Sequence, residues 1–177
     1  MAVDPRQLRN CLGHFATGVT VVTCATADRP HGATVNAFAA ISLDPPLIMV
    51  SLDRRTKASR YLEGRPFTVN VLRDQQDRLA RHFAGQRTTI QGVDWVWPDP
   101  ARPPRLGGSL AYFDCEPWQS HDGGDHRLFL GRVTEFEYHG GDPLVFYRGE
   151  FRHLVPAFDE TLWLGSLDCP DSSSILN

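Results

Sequence analysis

Residues 32–53 read GATVNAFAAISLDPPLIMVSLD and join a polar turn to a strand-like run. The turn is the Thr-x-Asn-Ala string at 34–37, and the run ends in Ser51, Leu52 and Asp53. Hydroxyl and amide groups beside exposed backbone N–H and C=O groups provide the donors and acceptors that a flat heteroaromatic ring with several N and O atoms needs. The same string also suits a simple hairpin, because asparagine tolerates and caps turns.

Other β-rich runs surround this stretch and indicate the fold class. The patterns predict strands over 19–26, 33–42, 47–52, 67–72, 110–119, 128–138 and 144–147. They predict three helices, one that Asp4 caps and Pro5 begins, one over 57–62, and one that starts at Asp74. Many short strands with few helices predict a mainly β chain of the α+β class, and they favour an antiparallel barrel over a doubly wound sheet.

Length, charge and cysteine usage limit the protein class. A chain of 177 residues is sufficient for one domain with its own core, and a net charge of −3 gives no general attraction to nucleic acid or anionic membrane. The four cysteines form no Cys-x-x-Cys pair, and the N-terminus lacks the apolar core of a signal peptide. With no apolar run long enough to span a membrane, we expect a cytoplasmic protein.

Several catalytic classes lack their sequence signatures. No Gly-x-Gly-x-x-Gly string is present, so a Rossmann nucleotide site is excluded. None of the seven histidines forms a His-x-x-x-His pair, and no metal site is predicted. A Gly-x-Ser-x-Gly elbow is also absent, so a catalytic serine triad is not supported.

The segment 53–59, Asp-Arg-Arg-Thr-Lys-Ala-Ser, follows a predicted strand and begins a predicted helix. Its three cations and two hydroxyls predict a cradle for an anion. The alternative is a solvated basic helix N-terminus, which the helix dipole disfavours. A bound anion would relieve that conflict, so the cradle is the preferred interpretation.

Two later strings are further candidates for a binding site. His126 follows Asp122-Gly123-Gly124-Asp125, and the residues alone favour a turn histidine that bonds to its own loop. The string at 147–151, Tyr-Arg-Gly-Glu-Phe, provides an aromatic ring and a cation but also suits a hairpin. The tryptophans at 95, 97, 118 and 163 are interpreted as core or interface residues.

Taken together, these strings resemble the flavin reductase family, the small partner components of two-component flavin-dependent monooxygenases. The similar segments follow the order of the family and cover residues 8–154; they are 15–22, 32–38, 42–53, 67–72, 81–84 and 123–126. The resemblance implies an FMN-binding split β-barrel, antiparallel and homodimeric, with flavin near the subunit interface. It divides the chain into a domain at 1–155 and a C-terminal extension at 156–177.

The resemblance also implies which residues bind the cofactors. The isoalloxazine and ribityl wall would be formed by Thr34, Val35, Asn36, Ala37, Ser51, Leu52 and Asp53. The flavin phosphate would be held by Thr56, Lys57, Ala58 and Ser59, and the segment that closes over the flavin is Phe83, Ala84 and Gly85. The nicotinamide nucleotide would be received by His126, Tyr147 and Arg148. Two positions depart from the family pattern, since Ala37 and Ala58 stand where relatives often carry hydroxyls.

The activity that the resemblance implies is reduction of FAD or FMN by NADH or NADPH, with FAD and NADH preferred. Reduced flavin would then diffuse to a separate monooxygenase. The cofactors carry the hydride chemistry, so no catalytic side chain is assigned, and His126 is expected to orient the nicotinamide nucleotide. The alternatives are a non-enzymatic flavin carrier on the same barrel and an oxidase of the pyridoxamine-phosphate oxidase type.

Overall fold

The computed structural model describes residues 2–27 and 29–155, so the predicted extension at 156–177, with Trp163, lies outside the described residues. The helices are α1 (Pro5–Leu12), α2 (Lys57–Leu62) and α3 (Asp77–Phe83), and a 3-10 helix covers Asp74–Gln76. The strands are β1 (Thr17–Gly18), β2 (Thr20–Ala25), β3 (Pro30–Val35), β4 (Phe38–Leu43), β5 (Pro46–Asp53), β6 (Phe67–Val71), β7 (Trp95–Val96), β8 (Arg105–Leu106), β9 (Ala111–Gly123), β10 (His126–Tyr138), β11 (Val145–Tyr147) and β12 (Glu150–Arg152). Within this part of the chain, every helix is too short or too polar to span a bilayer.

Seven strands form one antiparallel sheet in the order β3-β2-β6-β9-β10-β5-β4. Its edge strands, β3 and β4, are separated along the chain only by Asn36 and Ala37. The two edges must therefore meet, and the sheet curls into a barrel. The predicted antiparallel barrel is confirmed, but the prediction of one strand over 33–42 is wrong, because the chain leaves one edge at Val35 and joins the other at Phe38.

Two apolar clusters hold the barrel together, and β2 contributes to both. Val22 and Cys24 pack inside the barrel with Val50, Phe67 and Phe129. On the other face of the strand, side chains pack with α3 and the segments around it; this cluster contains Val19, Val21, Leu72, Ala80, Leu106 and Leu144. Because successive side chains of a strand point to opposite faces, the β-branched run of β2 is buried on both sides.

The proline-rich connection before β8 is fixed by buried polar groups. Thr23 Oγ1 donates to the Pro104 carbonyl at 2.5 Å, and the Leu106 N–H donates to Asn70 Oδ1 at 2.8 Å. Arg105 then pairs with Asp114 at 2.6 Å and with Glu135 at 2.6 Å. Burial works against the charged form of Arg105, but the hydrogen bonds to the two carboxylates raise its pKa above the usual range. The connection therefore packs on the barrel as a structural element.

Candidate functional site

The closure of the barrel brings the two halves of the 32–53 stretch together. The Ser51 N–H donates to the Ala37 carbonyl at 3.0 Å, so the turn at Asn36 and Ala37 lies against the end of β5. Asn36 and Ala37 are exposed there. Val35 and Leu52 are each only 5% exposed and belong to the core. Of the residues predicted to bind flavin, Val35 and Leu52 can therefore contact a ligand only through their backbone atoms.

Thr34 and Asn36 line a cavity of about 200 Å³ together with Ala84. The remaining walls are Val19, Gln86, Phe146 and Phe151. Thr34 Oγ1 donates to the Ala80 carbonyl at 2.6 Å, so this hydroxyl connects β3 to α3. No hydrogen bond among the described residues uses the Asn36 side chain, so its amide remains for a ligand, beside aromatic walls that suit a flat ring.

Phe83 and Gly85 stand on either side of Ala84, the residue that lines this cavity at the end of α3. The Phe83 ring packs edge-on to Trp95, with ring centroids 5.7 Å apart. It also lies so close to β3 that a Cβ added at Gly32 would be 2.6 Å from the ring. Gly85 has a φ of +75°, and its N–H donates to the His82 carbonyl at 3.1 Å, so it ends the helix in a left-handed turn.

The basic segment before α2 uses most of its polar groups locally. Arg55 pairs with Asp53 at 2.6 Å, and Arg54 pairs with Asp122 at 2.7 Å. Thr56 caps α2, since its Oγ1 accepts from the Ser59 N–H at 3.2 Å and donates to the Asp53 carbonyl at 2.8 Å. Within the described residues, the Lys57 side chain makes no hydrogen bond or ion pair. Two of the three cations in the predicted cradle are therefore already paired with carboxylates.

Ala58 and Ser59 lie on the inner face of α2. Ala58 is 1% exposed and belongs to the barrel core, so only its backbone can contact a ligand. Ser59 is 5% exposed, but it reaches the lining of a surface cavity between α2 and β10. Of the four residues predicted to hold the flavin phosphate, Ser59 is the one whose side chain lines a cavity.

His126 begins β10 and pairs in register with Asp53 of β5. Its Nδ1 lies 2.7 Å from Asp125 Oδ1, and this hydrogen bond holds the pKa of Asp125 below its usual range. The pKa of Asp53 is lowered mainly by the hydrogen bond from Arg55, and His126 adds to this effect. No hydrogen bond in the described part of the chain involves His126 Nε2. That nitrogen therefore remains for a ligand.

Tyr147 and Arg148 lie in the hairpin of β11 and β12, which belongs to a different sheet from β10, the strand of His126. Arg148 and Gly149, with φ of +51° and +84°, form the tight turn between β11 and β12, so the hairpin interpretation is confirmed. The Arg148 N–H donates to the Gly13 carbonyl at 2.9 Å, beside a cavity of about 370 Å³ next to α1. Phe146 lines both this cavity and the one at Asn36. Within the described chain, no hydrogen bond or ion pair joins the hairpin to His126.

The sequence interpretation missed several residues that the fold brings to these cavities. Arg60 and Arg127 line the cavity at Ser59. Arg60 lies one helical turn after Thr56 on the same face of the predicted helix, and this spacing was available in the sequence. The inward position of Arg127 depends on the register of β10, which the sequence does not specify.

Comparison with known proteins gives concordant results. A family model described as "Flavin reductase like domain" matches residues 12–155. The chain is 42% identical to an NADH-dependent flavin reductase of Rhodococcus sp, over 86% of this chain and 88% of that protein. It is 39% identical to the HsaB reductase subunit of a flavin-dependent monooxygenase from Rhodococcus jostii (strain RHA1), over 88% of this chain and 80% of that protein.

A solved structure extends the similarity to three dimensions. The NADH:FAD oxidoreductase SgcE6 of Streptomyces globisporus C-1027, in complex with NAD and FAD fragments, superposes with a TM-score of 0.81 at 35% identity. The match covers 90% of this chain and 99% of that one. The barrel is therefore shared over almost the whole length of a protein that binds parts of both nucleotides.

Proposed function

This chain belongs to the flavin reductase-like family, and on that premise we propose that it is an NADH:flavin oxidoreductase that supplies diffusible reduced flavin to a separate flavin-dependent monooxygenase. Its flavin substrate is FAD or FMN, with FAD preferred. The relatives support this directly, because they are named as an NADH-dependent flavin reductase and a monooxygenase reductase subunit. The match to the family model ends at residue 155, which is also the proposed end of the catalytic domain.

The observation that carries the proposal is the hydrogen bond between the Ser51 N–H and the Ala37 carbonyl. It places the cavity of Thr34, Asn36 and Ala84 next to the end of β5, where Asp53 pairs with His126. A flat polar ring and a second nucleotide can therefore bind side by side. This arrangement suits an enzyme with two substrates, whereas a flavin carrier needs only the first position.

The residues at the barrel closure are suited to an electron-rich flavin. A flavin accepts a hydride from the nicotinamide, and the reduced ring carries extra negative charge that preorganised donors stabilise. The Ser51 N–H is already bonded to Ala37. Successive N–H groups of a strand point to opposite sides, so N–H groups two residues apart point to the same side. The N–H of Asp53 therefore lies on the same edge as that of Ser51 and is the donor we assign to the flavin, together with the Asn36 amide.

His126 is assigned to the nicotinamide nucleotide. Asp125 holds the ring through Nδ1, which orients Nε2 as a hydrogen-bonding group at the start of β10. Hydride transfer needs no proton from the protein at the donor carbon, so His126 binds and orients rather than acting as an acid or base. Tyr147 and Arg148 stay assigned to the nicotinamide nucleotide as a prediction, and Arg148 lines the cavity beside α1.

Two further assignments complete the proposal. The protein acts as a homodimer, which is supported by apolar side chains exposed on α1 and β4; Leu12 is 65% and Leu43 is 88% exposed. It acts in the cytoplasm, which is supported by the free thiols of Cys11, Cys24 and Cys115.

The test is a turnover assay with purified protein. NADH is mixed with catalytic FAD or FMN in air, and the loss of reduced-nicotinamide absorbance is followed. Rapid oxidation of NADH that depends on flavin is expected, with NADPH slower. An anaerobic reaction followed by ultrafiltration should yield reduced flavin in the filtrate. If neither flavin supports NADH oxidation, the reductase function is wrong and the carrier alternative stands.

A further inference from the structure

A second cavity on the surface lies between α2 and the start of β10. Its volume is about 290 Å³, and its lining consists of Arg54, Ser59, Arg60, Glu63 and Arg127. Three guanidinium groups thus converge on one carboxylate and one hydroxyl. We call this the arginine cavity. No residue of it except Ser59 belongs to the predicted flavin wall or phosphate segment.

The arginines keep unused positive charge and donors. Arg54 pairs with Asp122 at 2.7 Å, and Arg127 forms an ion pair with Glu63. Arg60 is exposed, and its side chain makes no hydrogen bond or ion pair with any described residue. Three cations therefore face two carboxylates. In addition, Arg127 Nε is buried without a hydrogen-bond partner among the described residues, which is costly unless a ligand supplies an acceptor.

The position of the arginine cavity relates it to the flavin. Ser59 lines the cavity and also belongs to the segment proposed to hold the flavin phosphate. Glu63 lies between it and a neighbouring cavity of about 200 Å³ with an apolar and aromatic wall that includes Trp118 and Pro117. Trp118 is 44% exposed, so its ring is accessible to a stacking partner. A phosphate position, a cationic cavity and an aromatic cavity therefore follow one another along α2.

We propose that the arginine cavity binds the second phosphate of FAD, with the adenine against Trp118, and that this subsite makes the enzyme select FAD over FMN. The order of the three positions matches the order of phosphate, second phosphate and adenine in the dinucleotide. Guanidinium groups recognise phosphate oxygens by charge-assisted and bidentate hydrogen bonds. This inference rests on the proposed flavin reductase function.

The same phosphate chemistry is available from two other sources, the terminal phosphate of FMN and the pyrophosphate of NADH. The test therefore measures affinity for each nucleotide separately. Binding of FAD, FMN and ADP to the protein is measured by titration calorimetry, and KM values for FAD, FMN and NADH are measured by turnover. The variant is Arg60→Ala, because Arg60 is exposed and unpaired within the described chain and its loss should not disturb folding.

Loss of one charge-assisted contact should raise the Kd and KM for FAD about tenfold and leave FMN, NADH and kcat within about twofold. ADP should bind to the wild type and compete with FAD, and Arg60→Ala should weaken it equally. Trp118→Ala should weaken FAD and ADP in the same direction. Arg132→Ala removes the same charge from an exposed position on β10 and is the matched control, expected to change nothing.

Three results would contradict the proposed FAD subsite. An equal loss for FMN would assign the arginines to the shared flavin phosphate, and a rise in KM for NADH alone would assign them to the nicotinamide nucleotide. Unchanged FAD affinity in Arg60→Ala and Trp118→Ala would remove the subsite altogether. Failure of the proposed function is distinct from these, since it appears as a wild type that binds flavin but does not oxidise NADH.

Discussion

His126 lies directly opposite Asp53 in the antiparallel pairing of β10 with β5. Each has its own side-chain partner, since His126 bonds to Asp125 and Asp53 bonds to Arg55. The two pairs stand next to each other at one end of the barrel, beside the turn at Asn36. Residues from distant parts of the sequence thus form one edge of the proposed nucleotide site.

The first prediction concerns His126. Because the imidazole is assigned to nucleotide binding and not to proton transfer, His126→Ala should raise the KM for NADH about tenfold and change kcat at saturating NADH by less than about twofold. Steady-state kinetics with FAD fixed at saturation measure both values. His121→Ala, an exposed histidine on the adjacent strand, is the matched control and should behave as the wild type. A collapse of kcat with unchanged KM would contradict the assignment.

The second prediction concerns the contact between β3 and the end of α3. Gly32→Ala places a methyl group about 2.6 Å from the Phe83 ring, so the ring must shift against Trp95. Such overpacking should lower the free energy of unfolding by about 1–3 kcal/mol and raise the KM for flavin, because Ala84 moves with Phe83. Urea unfolding measures the stability. Gly18→Ala, where nothing lies within 4 Å, should leave stability nearly unchanged, and equal effects at both glycines would refute the packing argument.

The third prediction separates a buried ion pair from an exposed one. Arg105→Ala leaves Asp114, whose side chain is 3% exposed, as an unpaired buried carboxylate. We expect a loss of about 3–5 kcal/mol in the free energy of unfolding. Arg102→Ala removes a cation from the same Glu135, but both groups are largely exposed and the loss should be about 0–1 kcal/mol. Similar losses in denaturant unfolding for both variants would contradict this account of the network.

The fourth prediction concerns the thiols. Burial raises the pKa of Cys24 to about 11 and that of Cys115 to about 12, whereas Cys11 is exposed. At about pH 8, an alkylating reagent should therefore modify Cys11 and spare Cys24 and Cys115 until urea unfolds the protein. Peptide mass mapping identifies the modified sites. Rapid labelling of Cys24 in the folded protein would show that β2 is not buried as described.

The same shifts give a pH dependence with a definite sign. A folded-state pKa above the ordinary thiol value of 9.0 favours the neutral form in the folded protein. The corresponding stability is complete below that value and is lost as the pH rises toward about 11. Unfolding free energies measured between these limits should fall with pH, and Cys24→Ala should reduce the slope.

Local patterns predicted the elements that depend on short-range chemistry. Asp4 caps α1 as expected, with its Oδ1 accepting from the Arg6 N–H at 2.8 Å, and α2 covers the predicted residues. β10 begins at His126, two residues before the strand predicted over 128–138. The strand predicted over residues 33–42 ran through the break at Asn36, although the string at 34–37 also suited a turn. What interrupts the strand is the closure of the barrel, a long-range requirement that propensity does not contain.

The candidate site was also predicted only in part from local sequence patterns. Strings such as Thr34–Asn36 and Ser51–Asp53 were identified because polar residues interrupt β-rich runs. Their mutual position, and the burial of Val35, Leu52 and Ala58 in the core, follow only from the register of the sheet. Arg127 is the clearest omission, since one residue of register decides whether it or His126 faces α2.

The amino-acid sequence alone was sufficient for the mainly β fold class, the helix caps and the family resemblance, because these depend on neighbours along the chain. The tertiary structure decided which groups meet. In the fold, Arg55 pairs with Asp53 and Thr34 bonds to Ala80. Arg148 lines the cavity beside α1, and the Tyr147 ring contacts His14 just after that helix. Arg54, Arg60 and Arg127 line one cavity with Ser59. The polar turn at 34–37 meets the end of β5, and so joins the proposed two-substrate site, only through barrel closure, which brings Ala37 within hydrogen-bonding distance of Ser51.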